Sequence, residues 1–461
     1  MVIIMPQNTT IAAIATPPGQ GGIAVVRLSG PESYDVASQV FVPKNTQKNV
    51  KDNPAQMALY GHFIHRGKVI DDGMMLGFRA PASYTGEDVV EFSCHGSEVV
   101  SGMLLSACIE CGAAPAGPGE FTRRAFLNGR ISLTQAEAVM DLVASSSRQA
   151  AAAAESALEG ALYRKIQEIE ESLVTLAGHL AACVDFPEED VEELTAQEFA
   201  RVSRQARAEL AALVENYDRG MVIKRGVRAA IVGSPNVGKS TLFNVMSGFE
   251  RAIVTPVAGT TRDVVREQIQ VGGIQLLLSD TAGLHQTEDV VEAEGIRRSE
   301  AEMEQAALLI AVYDGSQPLD VAGRALAESC AGKPAVAVIN KSDLGTMIDV
   351  AELLPWFAEA VVVSANERDT AETIEQAILR LLKLNDMDTD AAMLANQRQL
   401  RAAEAALMAL DDADAALMAG YTLDAAGVCL EDALSALKEL SGENVAEAVI
   451  DEVFSAFCVG K

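Results

Sequence analysis

Lys239 and Ser240 end the stretch "GSPNVGKS" (Gly233–Ser240), which has the G-x-x-x-x-G-K-S/T spacing of a phosphate-binding loop. Glycines at both ends let backbone N–H groups close round phosphate oxygens. Lys239 can reach the β and γ phosphates, and Ser240 offers Mg²⁺ a hydroxyl. The apolar run "VRAAIV" precedes the loop and "STLFNVMSG" follows it. The residues therefore read as strand, loop and helix N-terminus, whose dipole favours anions. Asn236, Val237, Gly238, Lys239, Ser240 and Thr241 are the expected nucleotide contacts of this loop.

Three further stretches follow, each after an apolar run. "DTAG" (Asp280, Thr281, Ala282, Gly283) offers an acid near Mg²⁺ and a glycine N–H for the γ-phosphate. "NKSD" supplies Asn340, Lys341 and Asp343. The Asp343 carboxylate can accept the N1–H and 2-amino protons of guanine, which adenine does not present. "SAN" (Ser364, Ala365, Asn366) can meet the guanine O6 through backbone N–H. Four motifs in this order predict a GTPase; an ATPase has no need of "NKSD".

Two details narrow the class. Leu284 follows "DTAG", where many GTPases carry the Gln that orients the attacking water, so water must be positioned in another way. The stretch "TPVAGTTRD" (Thr255–Asp263) reads as the first switch, with Thr255, Pro256, Val257, Ala258, Gly259, Thr260 and Thr261 as expected contacts. Thr261 is the natural hydroxyl for Mg²⁺ and the γ-phosphate. The Asn236 side chain and backbone carbonyls of Thr255–Thr260 can cage a monovalent cation, supplying the charge an arginine finger would bring. Asn236 has an alternative use, stabilising its own turn.

The elements that must hold these residues fall into three textures. Residues 1–125 alternate short β-type runs ("IAVVRLSG", "MMLGFRAP", "DVVEFSCHG") with Gly/Pro turns and a helix stopped by Gly112, an α+β domain. Residues 126–222 are Ala-rich and predict long helices, interrupted at Pro187 and resuming to Gly220. Residues 223–384 alternate strands and helices, the pattern of a parallel sheet covered on both faces. The helical texture returns over 385–461. The economical reading is one helical domain split by an inserted nucleotide-binding domain, whose two ends must then lie close together.

The bulk numbers agree with a soluble chain of two or three domains: 461 residues, 49% hydrophobic and 22% charged. No run of about 18 apolar residues occurs, so no membrane span is expected. "MVIIMPQNTTIAAIATPPGQGG" lacks a basic leading region and reads as strand and loop. The net charge of −29 argues against a broad basic surface for nucleic acid, so an RNA client needs a local basic patch or a partner protein. Seven scattered cysteines suit a reduced, cytoplasmic setting. Cys108 and Cys111 form a lone C-x-x-C without a second pair at zinc spacing.

Together with "ATPPGQGGIAVVRLSG", "SYTGEDVVEFSCHG", "PGEFTRRAFLNGRISLTQAEAVMDLV" and the closing "FCVGK", the nucleotide motifs resemble the MnmE (TrmE) family of tRNA-modification GTPases along essentially the whole chain. The resemblance implies a multidomain fold: an N-terminal α+β folate-binding domain that also dimerises, a split all-α helical domain, and an inserted Ras-like α/β GTPase domain. It implies K⁺ held by Asn236 with backbone oxygens of Thr255, Val257 and Thr260. Mg²⁺ would lie on Ser240 and Thr261, and Glu292 would orient or activate the attacking water. It implies a tetrahydrofolate one-carbon donor (5-formyl- or methylene-tetrahydrofolate) at Arg27, Glu91, Arg130 and Lys461. Cys458 matches the family's C-terminal cysteine, where a thiol can act on a one-carbon unit or simply pack a helix. The implied partner is the FAD-binding protein MnmG in a heterotetramer. The implied work is a carboxymethylaminomethyl (or aminomethyl) group added at C5 of the wobble uridine of certain tRNAs. G domains meeting on GTP and K⁺ would activate hydrolysis.

Two other readings remain open from the residues. A ribosome-assembly GTPase would bind RNA and modify nothing, but its usual basic appendage has no counterpart in these acidic, helical flanks. A regulatory switch would lack chemistry in the N-terminal domain. Finally, Val445, Val449, Val453 and Phe457 lie at i, i+4 spacing and are expected to dock a last helix, so that the tail projects from a fixed point toward Arg27, Glu91 and Arg130.

Overall fold

The computed structural model describes residues 9–185, 196–247, 266–279, 303–385, 388, 390–421 and 423–460. The chain forms two compact units, Met1–Met140 with Lys438–Lys461, and Asp141–Leu437.

The first unit is built on β1 (Ile11–Ile14), β2 (Ile23–Ser29), α1 (Ser33–Val40), β3 (Phe41–Pro43), β4 (Ala58–His65), β5 (Lys68–Phe78), β6 (Val89–His95), α2 (Glu98–Glu110), β7 (Ala114–Pro115) and α3 (Glu120–Leu127). Its sheet runs β3-β4-β5-β6-β2-β1-β7. Strand alternation sorts the two faces. Ala24, Val26 and Leu28 of β2 and Val90, Phe92 and Cys94 of β6 are buried in one core with residues of α1 and α2. Arg27 and Glu91, the intervening residues, are register partners and look out on the opposite face. A smaller cluster of Ile11, Ala13, Ala116 and Phe121 packs there under α3.

The second unit begins within α4 (Leu133–Ala144) and continues through α5 (Arg148–Leu158), α6 (Ala161–Asp185), α7 (Ala196–Glu215) and α8 (Tyr217–Arg225). There follow β8 (Val227–Val232), α9 (Lys239–Ser247), β9 (Arg266–Val271), β10 (Ile274–Ser279), β11 (Leu308–Asp314), α10 (Val321–Cys330), β12 (Ala335–Asn340), α11 (Val350–Leu353), β13 (Glu359–Val362) and α12 (Thr370–Leu381). Helices α13 (Gln397–Met418), α14 (Leu423–Ser441) and α15 (Glu447–Ser455) close the chain. The sheet order is β13-β12-β11-β8-β10-β9. Every residue of β12 is buried, as a strand covered on both faces requires.

Three expectations are corrected. The second sheet is not wholly parallel: β9 pairs antiparallel with β10 at the edge. The Ala-rich stretch is helical as expected, with breaks at Ser145–Ser147 and at Gly160, and Ser147 caps α5 by accepting from the Ala150 N–H. The helix after the Pro187 region does not run to Gly220 but divides into α7 and α8. The C-terminal helix docks through Phe454 and Phe457, 2% and 6% exposed, while Val449 and Val453 are only half-buried and Val445 precedes the helix. Pro187 itself lies outside the described residues.

The start of α4 and the chain from Lys438 onward pack within the N-terminal unit: Gly442 lies against Leu133, and α15 lies on α3. In the second unit the entry and exit of the nucleotide-binding segment are neighbours. Lys224 Nζ pairs with Asp141 (2.6 Å) and donates to the Ala395 carbonyl (2.6 Å), and Gly220 lies against Leu394 and Met393. Among the described residues no helix is long and apolar enough to cross a membrane.

Candidate functional site

The phosphate loop leaves β8 at Gly233 and enters α9 at Lys239. Three positions in it have positive φ, Gly233 (φ 154°), Asn236 (φ 64°) and Gly238 (φ 100°). Asn tolerates this conformation better than most residues. At Gly238 no side chain would fit, since a Cβ would stand 2.3 Å from Asn340 Nδ2. Lys239 Nζ curls back on the loop and donates to the Gly233 and Ser234 carbonyls (2.8 Å each). Burial pushes its ammonium below the ordinary lysine range.

Asn340 joins this loop to the other strand ends. It is 2% exposed, its Nδ2 donates to the Val237 carbonyl (3.0 Å), and its Oδ1 accepts from the Ala365 N–H (3.0 Å). Ser364 Oγ donates to Asp343 Oδ1 (2.8 Å), which orients that carboxylate. Lys341 Nζ donates to the Asn236 carbonyl (2.8 Å) and to Asp314 Oδ2 (2.7 Å). Burial raises Asp314, but the bonds from Lys341 and Ser316 outweigh it and hold the carboxyl below the usual range. One cleft of about 160 Å³ is lined by Gly238, Thr241, Asn340, Lys341, Asp343, Ser364, Ala365 and Asn366. Residues from three separate motifs are thus gathered at one place. Asp314 was not singled out in the sequence; its place at the end of the apolar run "LLIAVYD" was the available signal.

A second constellation lies on the outer face of the N-terminal sheet. Arg27 Nε and a terminal nitrogen both bind Glu91 Oε1 (2.8 Å each). The Arg27 guanidinium stands over the rings of Tyr84 (5.9 Å) and Phe121 (5.5 Å). Arg130 is exposed, and its side-chain stem runs beside Gly86, two residues from Tyr84. A buried network fixes this turn: Arg124, 8% exposed, pairs with Glu87 and Glu120, while Ser29 bonds Thr85 and Glu87. The tail arrives in the same unit. Val459 forms a β-bridge with Pro118, the Gly119 N–H donates to the Cys458 carbonyl (3.3 Å), and Arg123 pairs with Asp451 (2.9 Å). The Cys458 side chain is exposed.

Two family models match the chain. One, described as MnmE helical domain, covers residues 133–458. The other, described as GTP-binding protein TrmE N-terminus, covers residues 10–130. The chain belongs to the MnmE family of tRNA modification GTPases. Among curated MnmE proteins, those of Listeria welshimeri and Heliobacterium modesticaldum are 38% and 40% identical to it, each match covering 98% of this chain and 99% of the relative. That of Lactobacillus delbrueckii subsp. bulgaricus is 38% identical over the full length of both. Among solved structures, Era in complex with MgGDPNP and 16S ribosomal RNA nucleotides is 26% identical over 40% of this chain and 66% of that one (TM-score 0.26). The FeoB G-domain from Methanococcus jannaschii is 25% identical over 34% and 98% (TM-score 0.25).

Several MnmE residues named from the sequence lie outside the described residues: Thr255, Pro256, Val257, Ala258, Gly259, Thr260, Thr261, Asp280, Thr281, Ala282, Gly283, Glu292 and Lys461. Cys108 is buried, and burial with Cys111 beside it pushes its thiol up to about 12. One grouping that the sequence reading missed is Asp71, Asp72 and His95, whose ligand atoms lie within 4.8 Å of one another. It forms because the end of β6 at His95 runs beside the interior of β5, where Asp71 accepts from the His95 N–H, a pairing no spacing announces.

Proposed function

We propose that this MnmE-family GTPase is K⁺-dependent and activated by meeting of its G domains. With MnmG in a heterotetramer, and with a tetrahydrofolate one-carbon donor, it would install a carboxymethylaminomethyl or aminomethyl group at C5 of the wobble uridine of certain tRNAs. The observation that carries this reading is the family match along the whole chain, in a protein that gathers Asn340, Asp343 and Ser364 beside its phosphate loop.

The proposed division of labour follows the chain. Residues 1–125 bind folate and dimerise, 126–222 and 385–461 form the helical domain, and 223–384 form the GTPase, in the cytoplasm. Asp343, held by Ser364, accepts the guanine N1–H and 2-amino protons. Backbone N–H groups of the phosphate loop and Lys239 hold the phosphates. Ser240 with Thr261 would hold Mg²⁺, and Asn236 with Thr255, Val257 and Thr260 would hold K⁺; these cations neutralise charge developing on the transferred phosphoryl group. Glu292 takes the water-orienting part left open by Leu284. On the N-terminal sheet, Arg27 and Glu91 supply a guanidinium and a carboxylate at one point. A pterin's amino-pyrimidinone edge pairs with such a carboxylate, and a glutamyl tail pairs with Arg130 or Lys461. Arg27–Glu91 is partly exposed, at 22% and 26%, so the pair is accessible to a ligand.

The test is a binding measurement on the full chain. 5-Formyl-tetrahydrofolate should bind the wild type and lose at least about tenfold in affinity in Glu91→Gln, while GTP affinity is unchanged. Equal folate affinity in the two proteins contradicts this placement, and no binding to the wild type favours the regulatory switch.

A further inference from the structure

The β9–β10 hairpin lies between two stretches that matter for hydrolysis. β10 ends at Ser279, the residue before Asp280, and β9 opens at Arg266, a few residues after Thr261. The hairpin is paired throughout, Arg266 with Ser279 to Val271 with Ile274. Its hold on the rest of the sheet is narrower: β10 meets β8 only over Leu276–Leu278, and β9 is the sheet edge. Its inner residues Ile269, Val271, Ile274, Leu276 and Leu278 are buried in the apolar core, so a tilt of the ribbon slides that face on the core without breaking its own ladder.

The far end of the ribbon is gripped by the junction between α4 and α5. Gln149 Nε2 donates to the Gly272 carbonyl (2.8 Å), and the Gln149 N–H to the Gly273 carbonyl (3.4 Å). Gln270 Nε2 donates to the Ser146 carbonyl (3.1 Å), and Ser146 Oγ to Gln275 Oε1 (2.5 Å). Gln275 is 6% exposed, and its Nε2 is committed to Gln268 Oε1 (2.9 Å), so its amide has one orientation. All these partners are uncharged amides, hydroxyls and carbonyls. Their bonds need close geometry, so a small tilt of the ribbon breaks them, whereas a greasy contact would slide. The same junction ends α4 and caps α5 through Ser147, so a change at the ribbon is delivered to two helices.

We propose that Ser146 and Gln149 are positioning residues: they form a latch on the tip of the β9–β10 hairpin, through which the nucleotide state reaches α4 and α5. The proposal rests on the guanine-nucleotide reading but not on the tRNA or folate chemistry.

Hydrogen exchange on the full chain tests it, comparing GDP with GDP plus aluminium fluoride and K⁺. In the wild type, amides of 142–150 should exchange at least about fivefold differently between the two states. Gln149→Ala and Ser146→Ala should abolish that difference, while both states still protect residues 233–240 and the melting temperature falls by no more than about 6 °C. Ser146→Thr, which keeps the hydroxyl, should restore the response. A response at 142–150 that persists in Gln149→Ala and Ser146→Ala overturns the latch, and so does its absence from the wild type. A parallel loss of melting temperature and of protection at 233–240 would make these residues merely structural. A wild type whose residues 233–240 gain no protection from either nucleotide fails the guanine-nucleotide reading itself.

Discussion

Asn340 is where the base cleft and the phosphate loop are tied together. Its amide satisfies the buried Val237 carbonyl and the half-buried Ala365 N–H at once, so Asn340→Ala leaves both unpaired. Leaving the buried carbonyl unpaired alone costs about 1–3 kcal/mol. GDP affinity should fall at least tenfold (~1.4 kcal/mol) by calorimetry, with a measurable loss of thermal stability. Asp343→Asn tests base choice separately. An amide cannot accept both the N1–H and the 2-amino protons, so GTP should bind at least about tenfold more weakly while XTP gains. A variant that keeps full GTP affinity would remove Asp343 from the base contact. His95 carries a pH signature. Its bond to Asp71 and the nearby charge raise its pKa above 6.5. Burial raises Asp71, but bonds from the His95 N–H and ring outweigh it and hold it below 3.8. The raised histidine favours folding below 6.5 and loses that contribution as pH rises through its folded value. The depressed aspartate contributes above 3.8 and loses it as pH falls through its folded value. The pair is therefore complete between these limits. An NMR titration of His95 should show a pKa that drops toward 6.5 in Asp71→Asn.

At the scale of elements, the tail is set by one glycine. Gly119 has φ 61°, and a Cβ there would meet the Phe454 carbonyl and the Phe457 Cβ at 2.8 Å. Gly119→Ala, strained by roughly 1–3 kcal/mol, should free the tail. Exchange over 447–460 should speed up while GTP hydrolysis holds; unchanged protection would show that the contact yields. The tail also shows how far sequence reaches. The i, i+4 valines announced an amphipathic helix, but which stripe docks depends on α3, and Phe454 stacks toward Phe126 across that interface. Strands β8, β11 and β12 were legible because burial on both faces leaves continuous apolar runs. β9, "REQIQV", was not, because an edge strand keeps polar residues on its open side. The Ala-rich run announced helix by propensity, yet the break at Ser145–Ser147 answers to a hairpin more than a hundred residues away. The phosphate loop and "NKSD" were legible since phosphate and guanine chemistry dictate both residue type and spacing. The Arg27–Glu91 pair was not legible from spacing, because strand register brings it together, and only resemblance named it.

For the whole molecule, a net charge of −29 argues against a broad cationic surface for tRNA and leaves a local basic patch or a partner protein to hold it. If G domains pair to activate hydrolysis, as proposed, specific activity should rise with protein concentration. GTP turnover in K⁺ should exceed that in Na⁺ at least about fivefold at matched ionic strength, because the smaller ion fits a K⁺-sized carbonyl cage poorly. Equal rates would remove the cation from the mechanism. Glu292→Ala should slow turnover while sparing GTP affinity. The most direct measurement is nucleoside analysis of tRNA incubated with the full chain, the FAD-binding partner, GTP, K⁺, Mg²⁺, an amine donor and a one-carbon tetrahydrofolate. The account predicts a C5-substituted wobble uridine that needs both GTP hydrolysis and the folate. GTP hydrolysed in full with the wobble uridine unchanged would contradict it.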